Sequence, residues 1–185
     1  PAGEKVIATD PKMSYDYAEE VINHVSLDTA GTRTTYIRPL DGGKPWPPGE
    51  AAIATSAEYS FNYAYLLNVS RPAGGGHGGG WRGGGGTKPW PPGEAAIATS
   101  AKWSFKYARD VIQSTWTPGE AEIAKSAQWS YSYADQVVGG RWIKGEPAIA
   151  KDQLFRNMYQ RNIIKNKHVA GWNRLVLPYK TTRGN

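Results

Sequence analysis

The sequence predicts an all-α protein, a short α-solenoid of five two-helix repeats, and three observations carry that prediction. A block of residues recurs along the chain, helix-start signals stand at one fixed place in each copy, and the second half of each copy is apolar on two sides. The stretch 44–57, KPWPPGEAAIATSA, returns unchanged at 88–101. Weaker copies follow as TWTPGEAEIAKSA from Thr115 and RWIKGEPAIAKDQ from Arg141, and PAGEKVIATDPK opens the sequence. Anchored on their glutamates, the copies fall at Glu4, Glu50, Glu94, Glu120 and Glu146, the last three exactly 26 residues apart. The first two gaps, 46 and 44, equal one unit plus insertions of 20 and 18 residues. A fixed period of this length is the mark of stacked supersecondary units.

Within a unit, the first helix is short. Proline and glycine open it, the glutamate sits in its first turn where negative charge suits the helix dipole, and an Ile-Ala pair follows (Ile53–Ala54, Ile97–Ala98, Ile123–Ala124, Ile149–Ala150). A capping residue announces the second helix at Asp10, Ser56, Ser100, Ser126 and Asp152, all types that accept bonds from free N–H groups of the next turn.

The second helix carries one stripe spaced by four (Tyr59, Tyr63, Leu67) and another on a different side (Phe61, Ala64, Asn68). The arrangement returns with Trp103, Tyr107 and Val111 and with Trp129, Tyr133 and Val137. A helix apolar on two sides needs neighbours on two sides, which a stack supplies. Pairs of small residues four apart (Ser60/Ala64, Ser104/Ala108, Ser130/Ala134) leave room for the adjacent helix.

The last unit keeps one stripe (Phe155, Tyr159, Ile163) but places Arg156, Asn157 and Gln160 where the fourth unit has Ser130, Tyr131 and Ala134. A polar outer face is expected of a terminal repeat, so this unit reads as a C-terminal cap. The first unit keeps Tyr15 and Ala18 and has no such replacement, so its outer face calls for cover by the insertions, by a partner or by residues that precede Pro1. The array thus covers residues 1–164, with repeats at about 1–23, 44–68, 88–113, 114–138 and 139–164, insertions at 24–43 and 69–87, and an extended tail at 165–185.

The unit, seen as WTPGEAEIAKSAQWSYSYADQV, resembles short tandem helical repeats of phage and other viral or environmental proteins. That resemblance covers the five units and leaves out the insertions and the tail. It implies a helical-hairpin array and a virion or filament component, and no catalytic residue.

Composition narrows the function classes. The chain has no cysteine, which excludes disulfides, thiolate metal sites and cysteine nucleophiles. Eight tryptophans and eleven tyrosines are too aromatic for a disordered chain, so aromatic burial must supply much of the stability. No apolar run reaches the ~20 residues that span a bilayer. Charge is uneven: residues 1–138 carry 12 Lys and Arg against 14 Asp and Glu, and residues 139–185 carry ten against two.

Few residues invite chemistry. His24, His77 and His168 have no metal-ligand spacing, and neither a GxSxG, a Walker loop nor an HExxH pattern occurs. A catalytic carboxylate is needed once, whereas the glutamate recurs in every unit, so it reads as part of a helix start. By the same logic Trp46, Trp90, Trp116 and Trp142, with Tyr63, Tyr107 and Tyr133, read as inter-repeat packing; the alternative is an exposed tryptophan ladder that stacks on sugars or bases. Arg141, Lys144, Arg156, Arg161, Lys165, Lys167 and Arg174 are candidate contacts to an anionic partner, against the plainer reading of a solvated cap face. Asn68-Val69-Ser70 matches a glycosylation sequon.

In the first insertion TRTTYIR reads as a strand or extended arm, and the glycine-rich run 74–86 reads either as a flexible linker or as glycines standing for unidentified side chains, so it carries no functional expectation. In the tail, RLVLPY reads as a short edge strand ended by Pro178. Its apolar residues call for a surface, on this array or on another subunit.

The expectation is a non-catalytic structural or scaffold subunit of a larger assembly, without cofactor, whose partners are copies of itself or other assembly components. The extracellular or virion-associated setting suits it. The alternative is a helical-repeat module that binds nucleic acid or glycan through the basic C-terminal face.

Overall fold

The computed structural model describes residues 2–22, 44–69 and 88–165, and all of their regular structure is helical. The TRTTYIR arm, the glycine-rich run, the RLVLPY segment, the three histidines, Lys167 and Arg174 lie outside the described residues.

Five helical pairs follow one another. Repeat 1 holds α1 (Ala2–Ile7) and α2 (Pro11–Tyr17), which continues as a wider π-helical segment, Ala18–Ile22. Repeat 2 holds α3 (Pro47–Ile53) and α4 (Ala57–Val69). Repeat 3 holds α5 (Pro91–Ile97) and α6 (Ala101–Lys106), extended by π-helix over Tyr107–Ile112. Repeat 4 holds α7 (Thr117–Ile123) and α8 (Ala127–Tyr133), extended over Ala134–Val138. Repeat 5 has a 3₁₀ turn (Ile143–Gly145), α9 (Glu146–Lys151) and α10 (Gln153–Tyr159), extended over Gln160–Ile164. Among the described residues no helix is long and apolar enough to cross a membrane.

Local chemistry explains most boundaries. The tryptophan before each Pro-Pro or Thr-Pro pair is held out of helical geometry (φ −122, ψ 80 at Trp46), and proline then sets the first turn. Repeat 5 has Ile143-Lys144 there, and its first turn tightens to 3₁₀ before the α-helix begins at Glu146.

The expected caps divide by type. Asp10 accepts from Met13 N–H at 2.7 Å, and Asp152 from Leu154 and Phe155 at 2.9 and 3.1 Å. Ser56 and Ser126 accept at 3.4 Å, and Ser100, against expectation, makes no side-chain cap bond. The shorter serine arm leaves its oxygen at the limit of reach.

The π-helical ends were not legible in the sequence. In repeats 3, 4 and 5 they close on a left-handed residue, Gln113, Gly139 or Lys165, whose N–H bonds to the carbonyl five residues back. Only the middle one is the glycine that this geometry favours.

The repeats pack in chain order. The second helix of each meets the first helix of the next (α2 with α3, α4 with α5, α6 with α7, α8 with α9), and successive second helices also touch. Every pair of elements in substantial contact belongs to one repeat or to two consecutive repeats. The core is correspondingly a column: Tyr63, Tyr107, Tyr133 and Tyr159 are fully buried, as are Ile53, Ile97, Ile123 and Ile149.

Candidate functional site

The seam between repeats is where the recurring residues converge. Repeats 2, 3 and 4 each spend the tyrosine three ways. Tyr107 Oη accepts the N–H of Trp90 at 2.9 Å and donates to Glu94 Oε1 at 2.9 Å, both in its own repeat. Its ring packs edge-on against Trp116 of the following repeat, centroids 4.9 Å apart. Tyr63 does the same with Trp46, Glu50 and Trp90, and Tyr133 makes the same bonds with Trp116 and Glu120 and packs its ring at a tilt on Trp142. Tyr159 keeps the bonds to Trp142 and Glu146.

The glutamate is therefore more than a helix-start charge: it is the acceptor that lets a phenol be buried. Its signal was present in the sequence as a constant spacing of 13 residues from glutamate to tyrosine in all five units. Burial first, and the glutamate second, push these phenols above their ordinary range, while the tryptophan N–H works against the shift; Tyr133 is raised to about 12.

Close approach of backbones sets the spacing between repeats. A Cβ on Gly119 would lie 2.5 Å from Ser104 Cβ of the preceding repeat and 2.6 Å from its own Trp116 ring. Gly93 and Gly145 are sandwiched in the same way, with Ser60 and Ser130. Each of these serines is fully buried and donates to its own repeat's isoleucine carbonyl (Ser104 Oγ to Ile97 O, 2.9 Å). Serine at this point is small enough for the next glycine and has its hydroxyl satisfied locally.

A second run of rings crosses the same seams. Tyr15 meets Tyr59, Phe61 meets Trp103, Phe105 meets Trp129 and Tyr131 meets Phe155, with centroids 5.3–6.1 Å apart. Each such pair adds roughly 0.5–1.5 kcal/mol beyond burial.

Trp46, Trp90, Trp116 and Trp142 are buried, so their rings are not offered to sugars or bases. Of the basic candidates, Arg141 is paired with Glu146 (2.5 and 2.9 Å) and Lys144 reaches back to Glu120 at 2.6 Å, tying repeat 5 to repeat 4. Arg161 and Lys165 are exposed and Arg156 is half-buried. Asn68 bridges the ends of the second insertion: its Nδ2 donates to Ala64 O and Lys88 O, and its Oδ1 accepts from Lys88 N–H. A glycan on Nδ2 would displace those bonds. No group of three or more potential metal ligands occurs among the described residues.

The two ends of the array differ. At the first repeat, a Cβ on Gly3 would meet nothing within 4 Å, and Val6 and Met13 are 68% and 56% exposed. The positions of Gly3 and Met13 are those that in later repeats meet the preceding unit. At the last repeat, the serine and ring positions are taken by half-buried Arg156 and exposed Asn157. No protein-family model, curated protein or solved structure matches the chain.

Proposed function

We propose that this chain is a non-catalytic structural subunit, a short helical solenoid that serves as a scaffold within a larger assembly such as a virion or filament. Its neighbours are copies of itself or other assembly components, contacted through the insertions, the tail and the outer face of the first repeat. One observation carries the reading: the first repeat presents the receiving half of the inter-repeat seam, with Gly3 open and Val6 and Met13 exposed. In repeats 2 to 5 the positions of Gly3 and Met13 are packed against a preceding unit. Exposed apolar residues grouped on one end mark a contact surface. The repeated carboxylates and phenols, which would otherwise invite a catalytic reading, are engaged with each other in the seam.

Light scattering over a wide concentration range tests the proposal. The expected result is reversible association that Val6→Lys and Met13→Lys together abolish while helical content stays unchanged. A strict monomer at the highest concentration, or association indifferent to both substitutions, would overturn it.

A further inference from the structure

We infer that the outer face of repeat 5 in one copy receives the outer face of repeat 1 in the next, with Arg161 of one chain paired to Glu20 of the other. The inference rests on the assembly reading above and adds which two faces meet. Such a contact is heterologous, so it repeats from copy to copy and builds a filament or a ring.

The seams inside the array supply the first argument. In repeats 4 and 5 the residue 16 places after the anchoring glutamate reaches back across the seam. Gln136 accepts from Arg109 of repeat 3 at 3.1 Å, and Asn162 donates to Tyr131 of repeat 4 at 2.8 Å. Glu20 holds that place in repeat 1, on a π-helical segment, Ala18–Ile22, that matches Ala134–Val138 and Gln160–Ile164 position for position. Arg109 stands 15 places after its own glutamate, and the residue at that place in repeat 5 is Arg161, which is exposed. In the same register, repeat 5 brings a guanidinium to Glu20 as repeat 3 brings one to Gln136.

Charge is the second argument. Over 153–165 the second helix of repeat 5 carries Arg156, Arg161 and Lys165 and no acidic residue. Over 11–22 the second helix of repeat 1 carries Asp16, Glu19 and Glu20 against Lys12, which is itself bonded to Asp16. The two ends attract each other, whereas two first repeats or two last repeats set like charges together. The polar face of repeat 5 is on this account a seat for the next copy as well as an end to the stack.

The other facing positions are compatible. A Cβ on Gly3 meets nothing within 4 Å, so the face has room for Arg156, which stands where repeats 1 to 4 have serine. Its long side chain extends along the rim to water. Within the array a ring meets a ring at each seam, as Tyr131 meets Phe155. Between copies those two places fall to Asn157 and Met13, neither of them a ring. Both ends have lost the ring at matching positions, so the junction between copies is weaker than the inner seams and forms reversibly.

Charge exchange on the full chain, followed by sedimentation velocity, tests the pairing. Arg161→Glu and Glu20→Arg should each weaken self-association about tenfold or more at unchanged helical content, because each sets like charges together. An equimolar mixture of the two variants should recover the wild-type association, since alternating copies restore opposite charges at every junction. Added salt should weaken the wild type and the mixture alike. Single reversals without effect, or a mixture that associates no better than its parts, would refute the inference. Association that Val6→Lys with Met13→Lys abolishes but neither reversal alters would leave the assembly reading standing and sink this pairing alone. A wild type that stays monomeric sinks both.

Discussion

The first and last repeats are built on one plan yet finish it differently. In repeat 1, Tyr17 donates to Glu4 at 2.8 Å and packs on Trp46, but it is half-buried, and the hydrogen bond to Glu4 rather than burial is the main cause that raises its pKa. In repeat 5, Tyr159 is fully buried, Glu146 is buried with Arg141 against it, and Lys144 adds an ion pair to repeat 4. The leading face keeps apolar seam positions open, and the trailing face has exchanged the seat of a second helix for Asn157. A stack whose ends are chemically unequal has a direction.

Substitutions at equivalent positions should sharpen that contrast. The largest effect is expected at the seam glycines. Gly119→Val forces a side chain against Ser104 and Trp116 and should cost about 3 kcal/mol in chemical denaturation, as overpacking does. Gly3→Val meets nothing and should stay within about 0.5 kcal/mol. Equal losses at the two sites would mean that the seam contact is not what holds the repeats apart.

Alkaline unfolding comes next. The phenols of Tyr63, Tyr107, Tyr133 and Tyr159 titrate higher in the folded chain than the ordinary value near 10. The stability they contribute is complete below about pH 10 and is lost as pH rises toward the folded values, about 12 for Tyr133. Ultraviolet titration of tyrosinate, followed together with circular dichroism, should show these phenols ionising only as the helices melt. Independent ionisation before melting would contradict the burial.

Tyr107→Phe removes the hydroxyl between Trp90 N–H and Glu94 and leaves a buried donor unmatched, a loss of roughly 1–3 kcal/mol. Tyr17→Phe strips only the bond to Glu4 from a more exposed site and should cost distinctly less by the same denaturation assay. Smallest of all is the cap comparison: Asp152→Ala should cost about 1 kcal/mol, and Ser100→Ala, with no cap bond to lose, a few tenths at most by thermal melt.

Much of this architecture was legible in the chain, because a repeat shows its plan several times over. The 26-residue period, the paired helices and the tryptophan positions follow from alignment of the sequence with itself. Residues that work across space were read less well. Ser104 looked like mere clearance for a neighbour, whereas it both seats Gly119 and satisfies its hydroxyl on Ile97. Glu94 looked like a dipole charge, whereas it accepts from a buried phenol 13 residues away. The π-helical ends, and a left-handed Gln113 where glycine is usual, depend on how the last turn settles against the next repeat, which no local pattern encodes. Ser100 has the cap residue type but not the reach.

The central claim is that consecutive repeats interlock tyrosine on tryptophan in chain order. Nuclear Overhauser contacts between aromatic rings test it most directly. Tyr63 with Trp90, Tyr107 with Trp116 and Tyr133 with Trp142 should all give cross-peaks, as befits centroids 4.8–5.0 Å apart, and Tyr63 with Trp142 should give none. Missing cross-peaks within those three pairs, or strong ones between repeats that are not consecutive, would contradict the account.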